Sequence, residues 1–309
     1  MREIDMSISH PEPKVKGPMG FLASLGMTKI LFWFARRFIA GQTLEEALIV
    51  LRKLKAKGFA TTIDHLGENV TNALEAKAAT DDYIEIINAI KKNSLDNNIS
   101  VKLTQIGLDI NRDLCLENLK RITEAAREIN GFVRVDIEGS KYASTTFEMV
   151  REIRALGLPV GVAIQAMLRR TPSDMVTLLE SGITMRLCKG AYKEPVDIAY
   201  QKKDEVDRQY VALVKRLLTS GSFHGIATHD EKIIAETKAF VKERQIKRDK
   251  FEFQMLLGIR PALQEQLVAN GWKLRVYVPY GRAWLPYVIR RLRERKENVW
   301  FVVKNLFRK

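Results

Sequence analysis

Short β-prone runs alternate with longer amphipathic stretches along most of this chain. Eight runs, at 59–64, 99–104, 132–137, 159–164, 183–188, 223–228, 251–255 and 274–278, are rich in β-branched, aromatic and other apolar residues over strand-like lengths. Between them apolar residues recur at helical spacing, as in 72–92, 114–129, 145–156 and 195–218. One strand and one helix return about every 30 residues, the length a βα unit needs. Eight such units predict an α/β chain folded as a (βα)8 TIM-type barrel. A doubly wound open sheet is the weaker reading, because no G-x-G occurs anywhere in the sequence.

The first 57 residues follow a different pattern. Pro11, Pro13, Gly17 and Pro18 make 1–18 an irregular arm, and 19–40, apolar with basic punctuation, reads as helix. Thr43 followed by Glu46 is a capping-box start, with Leu44, Ala47, Leu48, Leu51 and Leu54 as the apolar stripe and Lys57-Gly58 as the stop. The expected organisation is therefore an N-terminal arm with helices over 1–57 and a catalytic barrel over 58–309. A last helix should lie over the barrel mouth.

Barrel chemistry sits at the carboxyl ends of the strands, and here those ends are polar. They read Asp64-His65-Leu66-Gly67-Glu68, Lys102-Leu103-Thr104, Asp136-Ile137-Glu138, Gln165-Ala166, Arg186 to Tyr192, Thr228-His229-Asp230, Glu252-Phe253-Gln254 and Tyr277-Val278-Pro279. Such groups on apolar strands must pair with each other or with a ligand. After the eighth strand, Tyr287, Arg290 and Glu294 share roughly one helical face, and Arg290 and Glu294 are four apart. The adjacent Arg290 and Arg291 suit a carboxylate or a phosphate.

Charge sharpens this picture. The 309 residues carry a formal net charge of +14, yet 1–57 contributes +5, 281–309 contributes +7 and the long middle only +2. The excess at the ends does not resemble a nucleic-acid surface spread over a domain. Cys115 and Cys188 cannot build a disulfide framework and lack metal spacing. Cys188 reads as a buried, inert strand residue. His65 and His229 have no third ligand at metal spacing, so no metal is expected. His224 reads as a strand or core residue, Trp284, Trp300 and Phe301 as packing, and Lys202-Lys203 as a solvated face. The start is polar, and the apolar run 30–35 is far too short to span a bilayer. A reduced, cytoplasmic chain is expected.

From about Phe59 to Phe307 the sequence resembles the catalytic domain of the proline dehydrogenase family in its monofunctional bacterial form. The resemblance rests on Tyr287-x-x-Arg290-Arg291-x-x-Glu294, Arg186-x-x-Lys189-Gly190-Ala191-Tyr192, Thr228-His229, Glu252-Phe253-Gln254-Met255-Leu256 and Tyr277-x-Pro279, in the family's order. It implies FAD held noncovalently at the strand ends and oxidation of L-proline to Δ1-pyrroline-5-carboxylate. By motif, Arg186 should reach flavin N5, and Gln165 and Lys189 the ring system or its ribityl–phosphate part. Thr228 and His229 should line the cofactor site, where Gly190 and Ala191 allow close approach. Asp136 should lie near the flavin edge. Arg290, Arg291 and Lys102 should bind the substrate carboxylate, with Tyr277, Tyr287 and Leu256 around the ring. Glu294 should orient an arginine, and Glu68 should be the gate partner of Arg290. Two positions depart from the pattern: Met167 and Leu257 stand where the family usually has aromatic residues.

The resemblance also implies a quinone as electron acceptor and peripheral attachment at the inner membrane face. The basic ends suit docking on anionic lipid. A functional partnership with pyrroline-5-carboxylate dehydrogenase is a further expectation, and no nucleic acid is expected. Two alternatives stand beside this reading. One is a non-flavin barrel enzyme acting on an anionic small molecule, using Lys102 or Lys189. The other is a basic membrane- or nucleic-acid-binding protein. Neither accounts for polar residues that fall in register at the strand ends in one family's order.

Overall fold

The structure, a computed structural model, describes residues 32, 33 and 35–293, without the side chains of 292 and 293. Eight parallel strands close into a barrel in sequence order. They are β1 (Ala60–His65), β2 (Asn98–Val101), β3 (Phe132–Val135), β4 (Val160–Gln165), β5 (Thr184–Cys188), β6 (His224–Ala227), β7 (Phe251–Leu256) and β8 (Leu274–Tyr280). Closure comes from β1 against β8, in register from Ala60 opposite Arg275 to His65 opposite Tyr280. The α-helices among the described residues are α1 (Leu44–Ala56), α2 (Ala73–Lys92), α3 (Arg112–Glu128), α4 (Ala143–Ala155), α5 (Thr171–Glu180), α6 (Lys203–Leu218), α7 (Glu231–Glu243), α8 (Pro261–Ala269) and α9 (Trp284–Arg293). This is the (βα)8 barrel that the alternation of runs predicts.

The strands keep a period of two. Ile63, Ile99, Val101, Val133, Val135, Val162, Ile164, Met185, Leu187, Ile226, Phe253, Val276 and Val278 belong to the main apolar cluster. That cluster also takes in Ala47, Leu48 and Leu51 of α1 and Tyr83, Ile86, Ile87 and Ile90 of α2. The intervening strand positions are small or polar, among them Thr62, Asp64, Ser100, Arg134, Gly161, Gln165, Arg186, Gly225, Glu252 and Gln254. Branched apolar side chains usually fill such an interior. Here hydrogen-bonded charge does so.

The Thr43–Glu46 capping box forms at the start of α1, with both reciprocal contacts present. Helix α2 starts one residue after the expected boundary, where the Asn72 side chain accepts from the Glu75 amide at 3.0 Å. The expected helix at 195–218 is shortened, since α6 starts only at Lys203. The backbone before it is used elsewhere. Ala199 bridges antiparallel to Leu168, the Arg169 amide donates to the Ile198 carbonyl at 2.9 Å, and the Tyr200 amide donates to Met167 at 2.9 Å. These contacts fold 195–200 onto the loop after β4. Of the expected helix over 19–40, residues 19–31 lie outside the described residues. Phe32, Trp33 and Ala35 are helical, and the chain turns at 36–38.

A second apolar cluster sits at the end of β8. Trp284, Tyr287 and Val288 of α9 pack with Ala35, Phe38, Ile39, Leu66 and Ile259. Trp284 is thus a packing residue, as expected, and its ring lies 5.4 Å from that of Phe32. The 35–41 segment is tied down by Ala40 donating to Pro279 at 2.8 Å and by Gly281 donating to Gly41 at 3.0 Å. Gly258 makes this seat possible: its φ is +72°, and a Cβ there would run into the Arg37 carbonyl oxygen. Gly157 has the same φ of +72° but open space around it. Gly157→Ala should therefore cost only the left-handed strain, ~1–2 kcal/mol. Gly258→Ala should cost clearly more, with a lower melting temperature in thermal denaturation. Equal melting temperatures for the two variants would contradict this seating.

Candidate active site

The carboxyl ends of the strands and the face of α9 enclose a cavity of about 660 Å³, within the range of small-molecule sites, roughly 300–1,000 Å³. It brings together Lys102, Asp136, Gln165, Arg186, Lys189, Gly190, Ala191, Thr228, His229, Leu256, Tyr277, Tyr287, Arg290 and Arg291. These are the sequence candidates except two. Glu68 does not line the cavity but pairs with Arg290 at 2.5 Å. Glu294 lies outside the described residues.

Asp136, just after β3, is the junction of the cavity floor. Its Oδ1 accepts from Arg186 Nη1 at 2.5 Å and from Ser100 Oγ at 3.4 Å, and its Oδ2 accepts from the Tyr277 hydroxyl at 2.6 Å. Lys102 Nζ lies 3.9 Å from Oδ2 and donates to Asp64 Oδ1 at 2.7 Å. Burial alone would lower the Lys102 ammonium, but Asp64 and Asp136 outweigh it and hold its pKa above the usual lysine value. Burial, reinforced by Asp136 and Asp64, raises the Tyr277 phenol well above its usual value. Tyr277 therefore stays a hydrogen-bond donor at neutral pH. The Arg186 guanidinium lies 5.2 Å from the centre of the Tyr277 ring.

Sequence reasoning left several cavity residues out of the site. Asp64 and Gln254 stood at strand ends, but nothing in the sequence shows which cation each would meet. Tyr192 stood in the motif after β5, and burial pushes its phenol up to about 12. Lys203, read as part of a solvated face, is exposed but lines the cavity edge with Asp230. There Lys189 contacts Asp207 at 2.5 Å and Asp230 at 3.1 Å, and Lys203 lies 3.6 Å from Asp230. Arg260, in the left-handed region with φ 51°, also lines the cavity.

Cys188 differs from its reading as a buried strand residue. It ends β5 half-buried and lines the cavity. Its thiol donates to the Ile164 carbonyl at 3.2 Å, and burial pushes its pKa up to about 12. Three histidines are held by their neighbours. His229 Nε2 accepts from the Leu256 amide at 2.8 Å. The His65 ring stacks on Tyr280 at 5.1 Å. His224 is a buried strand residue, as expected, and burial lowers its pKa to about 4. Glu138 accepts from the Thr104 hydroxyl at 2.7 Å and caps the turn after β2, while burial holds its pKa above the usual carboxylate value.

A family model described as proline dehydrogenase matches residues 47–304. The chain belongs to the proline dehydrogenase family. It is 39% identical over 275 residues to "Proline dehydrogenase 1" of Bacillus subtilis (strain 168), covering 89% of this chain and 91% of that protein. It is 38% identical over 279 residues to "Proline dehydrogenase" of Deinococcus radiodurans, covering 89% of this chain and 90% of that protein. Among solved structures, proline utilization A (PutA) from Bdellovibrio bacteriovorus, inactivated by N-propargylglycine, superposes with a TM-score of 0.81 at 26% identity. That match covers 89% of this chain but only 34% of the longer one.

Two outcomes follow from this geometry. Asp136→Ala removes a carboxylate shared by two buried cations, so it should destabilise the protein by roughly 3–5 kcal/mol, read from the urea midpoint. An unchanged midpoint would contradict Asp136 as the junction. For Cys188 the sign is set by the raised pKa: the thiol stays protonated until the pH approaches about 12. At pH 8 its alkylation, followed by mass spectrometry, should be on the order of a thousandfold slower than in the denatured chain. Comparable rates would contradict the raised thiol pKa.

Proposed function

We propose that this protein oxidises L-proline to Δ1-pyrroline-5-carboxylate with bound FAD and passes the electrons to a quinone. The observation that carries the reading is the set of cations around one cavity: Arg186 and Lys102 on the floor, Arg290 and Arg291 from α9.

The residues present fit the cofactor. Gln165 donates through Nε2 to the Glu138 carbonyl at 2.7 Å, while its Oε1 is buried with no hydrogen-bond partner. Such an acceptor calls for a donor. Beside it Gly190 has φ +113°, and a Cβ there would overlap the Met167 sulfur and lie 2.9 Å from Gln165 Oε1. Gln165, Arg186, Lys189, Gly190, Ala191, Thr228 and His229 would hold FAD. When bound, FAD would supply the two-electron oxidation, with N5 as the acceptor of hydride from proline C5 while the amine proton leaves to solvent.

The chain's own residues do the rest. Arg290, Arg291 and Lys102 bind the proline carboxylate, and two guanidinium groups suit it by their fork geometry. Tyr277, Tyr287 and Leu256 shape the space around the ring, which sets C5 for transfer. Asp136 holds Arg186 and Tyr277 in place. Burial by itself would lower the Arg290 pKa, but pairing with Glu68 raises it. Glu68 holds the Arg290 guanidinium in place, and their pair gates entry.

The quinone acceptor is what the family resemblance implies, and the charge distribution supports the location. Most of the net +14 lies in 1–57 and 281–309, which suits docking of a cytoplasmic protein at the inner face of an anionic membrane. No helix among the described residues is long and apolar enough to cross one. The product is a cyclic imine whose hydrolysis yields an aldehyde, so a dehydrogenase for pyrroline-5-carboxylate is the natural functional partner. The chain's 29% identity over 348 residues to "Bifunctional protein PutA" of Escherichia coli, of which it covers 26%, supports that link.

The purified protein supplied with FAD should show a flavin spectrum that L-proline bleaches without oxygen. A preparation that stays colourless with added FAD would contradict the proposal. Arg290→Ala and Arg291→Ala should each raise the KM for proline roughly tenfold to a hundredfold, with FAD still bound. Loss of FAD instead would overturn this division of the site.

A further inference from the structure

Arg186 is held at two points. Nη1 donates to Asp136 at 2.5 Å and to Ser100 at 3.1 Å, and Nε donates to Gln254 Oε1 at 2.6 Å. A single anchor would leave a planar guanidinium free to swing about that contact. A second anchor at Nε defines its plane.

Gln254 is itself fixed. Its Nε2 donates to Glu252 Oε1 at 2.7 Å, and the same oxygen accepts from Arg275 Nε at 2.6 Å. The direction of the amide is dictated by chemistry. Arg186 offers only N–H, so it must meet the amide oxygen, and the Glu252 carboxylate must meet the amide nitrogen. The chain Arg275–Glu252–Gln254–Arg186 therefore crosses from β8 through β7 to β5 beneath the cavity. Glu252, Gln254 and Arg186 are all buried.

The strand between β5 and β7 leaves the space. Gly225 of β6 lies in register with Arg186 on one side and with Glu252 on the other. A Cβ at Gly225 would overlap Gln254 Nε2 and lie 2.7 Å from its Cδ. Gly225 is not among the glycines with positive φ. Its requirement is room, not backbone freedom.

We propose that Gln254, seated in the space left by Gly225 and oriented by Glu252 and Arg275, is the positioning residue that aims Arg186 at the bound flavin. The inference rests on the FAD reading above. A fixed cation favours the reduced, more negatively charged cofactor, so the orientation of Arg186 should be readable as a reduction potential.

Two variants test it. Gln254→Met keeps the length and removes both hydrogen bonds. Gly225→Ala displaces the amide without altering any member of the chain. Both should take up FAD, with a potential lowered by about 30 mV or more, equivalent to a tenfold loss of preference for the reduced cofactor. Turnover should fall about tenfold with the KM for proline within about twofold of wild type. If one variant fails to fold, the other carries the test. An unchanged potential and kcat in a folded, FAD-loaded variant overturns the proposal. So does a rise in KM alone, which would place Gln254 on the substrate side, and so does loss of folding or of FAD in both variants, which would make it a structural support. A wild-type protein that takes up no FAD contradicts the proposed function itself, whatever the variants do.

Discussion

Charge buried inside a closed barrel has to be balanced inside that barrel. An unpaired ion in so dry a space costs several kcal/mol, so each ionic side chain on the inner face commits others. Asp136 shows the consequence. It serves Arg186, Tyr277 and Lys102 at once, and Lys102 is neutralised further by Asp64. The strand register puts these groups at matching heights: Asp64 is opposite Ser100, and Arg186 is opposite Ala163 and Gly225. Small neighbours are therefore part of the charge balance, because they leave the volume in which the long side chains meet.

The second half of the site is held by a different force. Arg290 and Arg291 come from α9, whose Trp284, Tyr287 and Val288 are seated on the 35–39 segment, Leu66 and Ile259. Burial of those side chains is worth on the order of 1.5–3 kcal/mol each and needs no polar partner. Polar pairing thus sets the floor of the cavity and apolar packing sets its roof, with the Glu68–Arg290 pair joining the two.

The barrel was legible because its strands alternate strictly and its polar residues recur at the strand ends. Local patterns were less sufficient where long-range contacts decide. The stretch from 195 has helical periodicity, yet its backbone groups bond the loop after β4, and α6 begins at Lys203. Lys203 looked solvated because sequence does not show that Asp230, at the start of α7, comes to its side. The resemblance, not the local pattern, names Glu68 as the partner of Arg290, and the fold brings the two side chains together. Cys188 illustrates the limit of burial inferred from apolar neighbours, because the end of a barrel strand opens on the cavity. Asp64 and Gln254 were visible as strand-end residues, but which cation each meets depends on inter-strand register.

In the proposed function, the cations and rings that line this cavity together set proline C5 for oxidation. The most direct measurement is anaerobic, single-turnover reduction of the FAD-loaded protein by L-proline carrying deuterium at C5. With both C5 hydrogens replaced by deuterium, the flavin should bleach more slowly than with unlabelled proline, and the product should keep only one of the two deuteriums at C5. Reduction at the same rate with the label fully retained at C5 would contradict the proposed function.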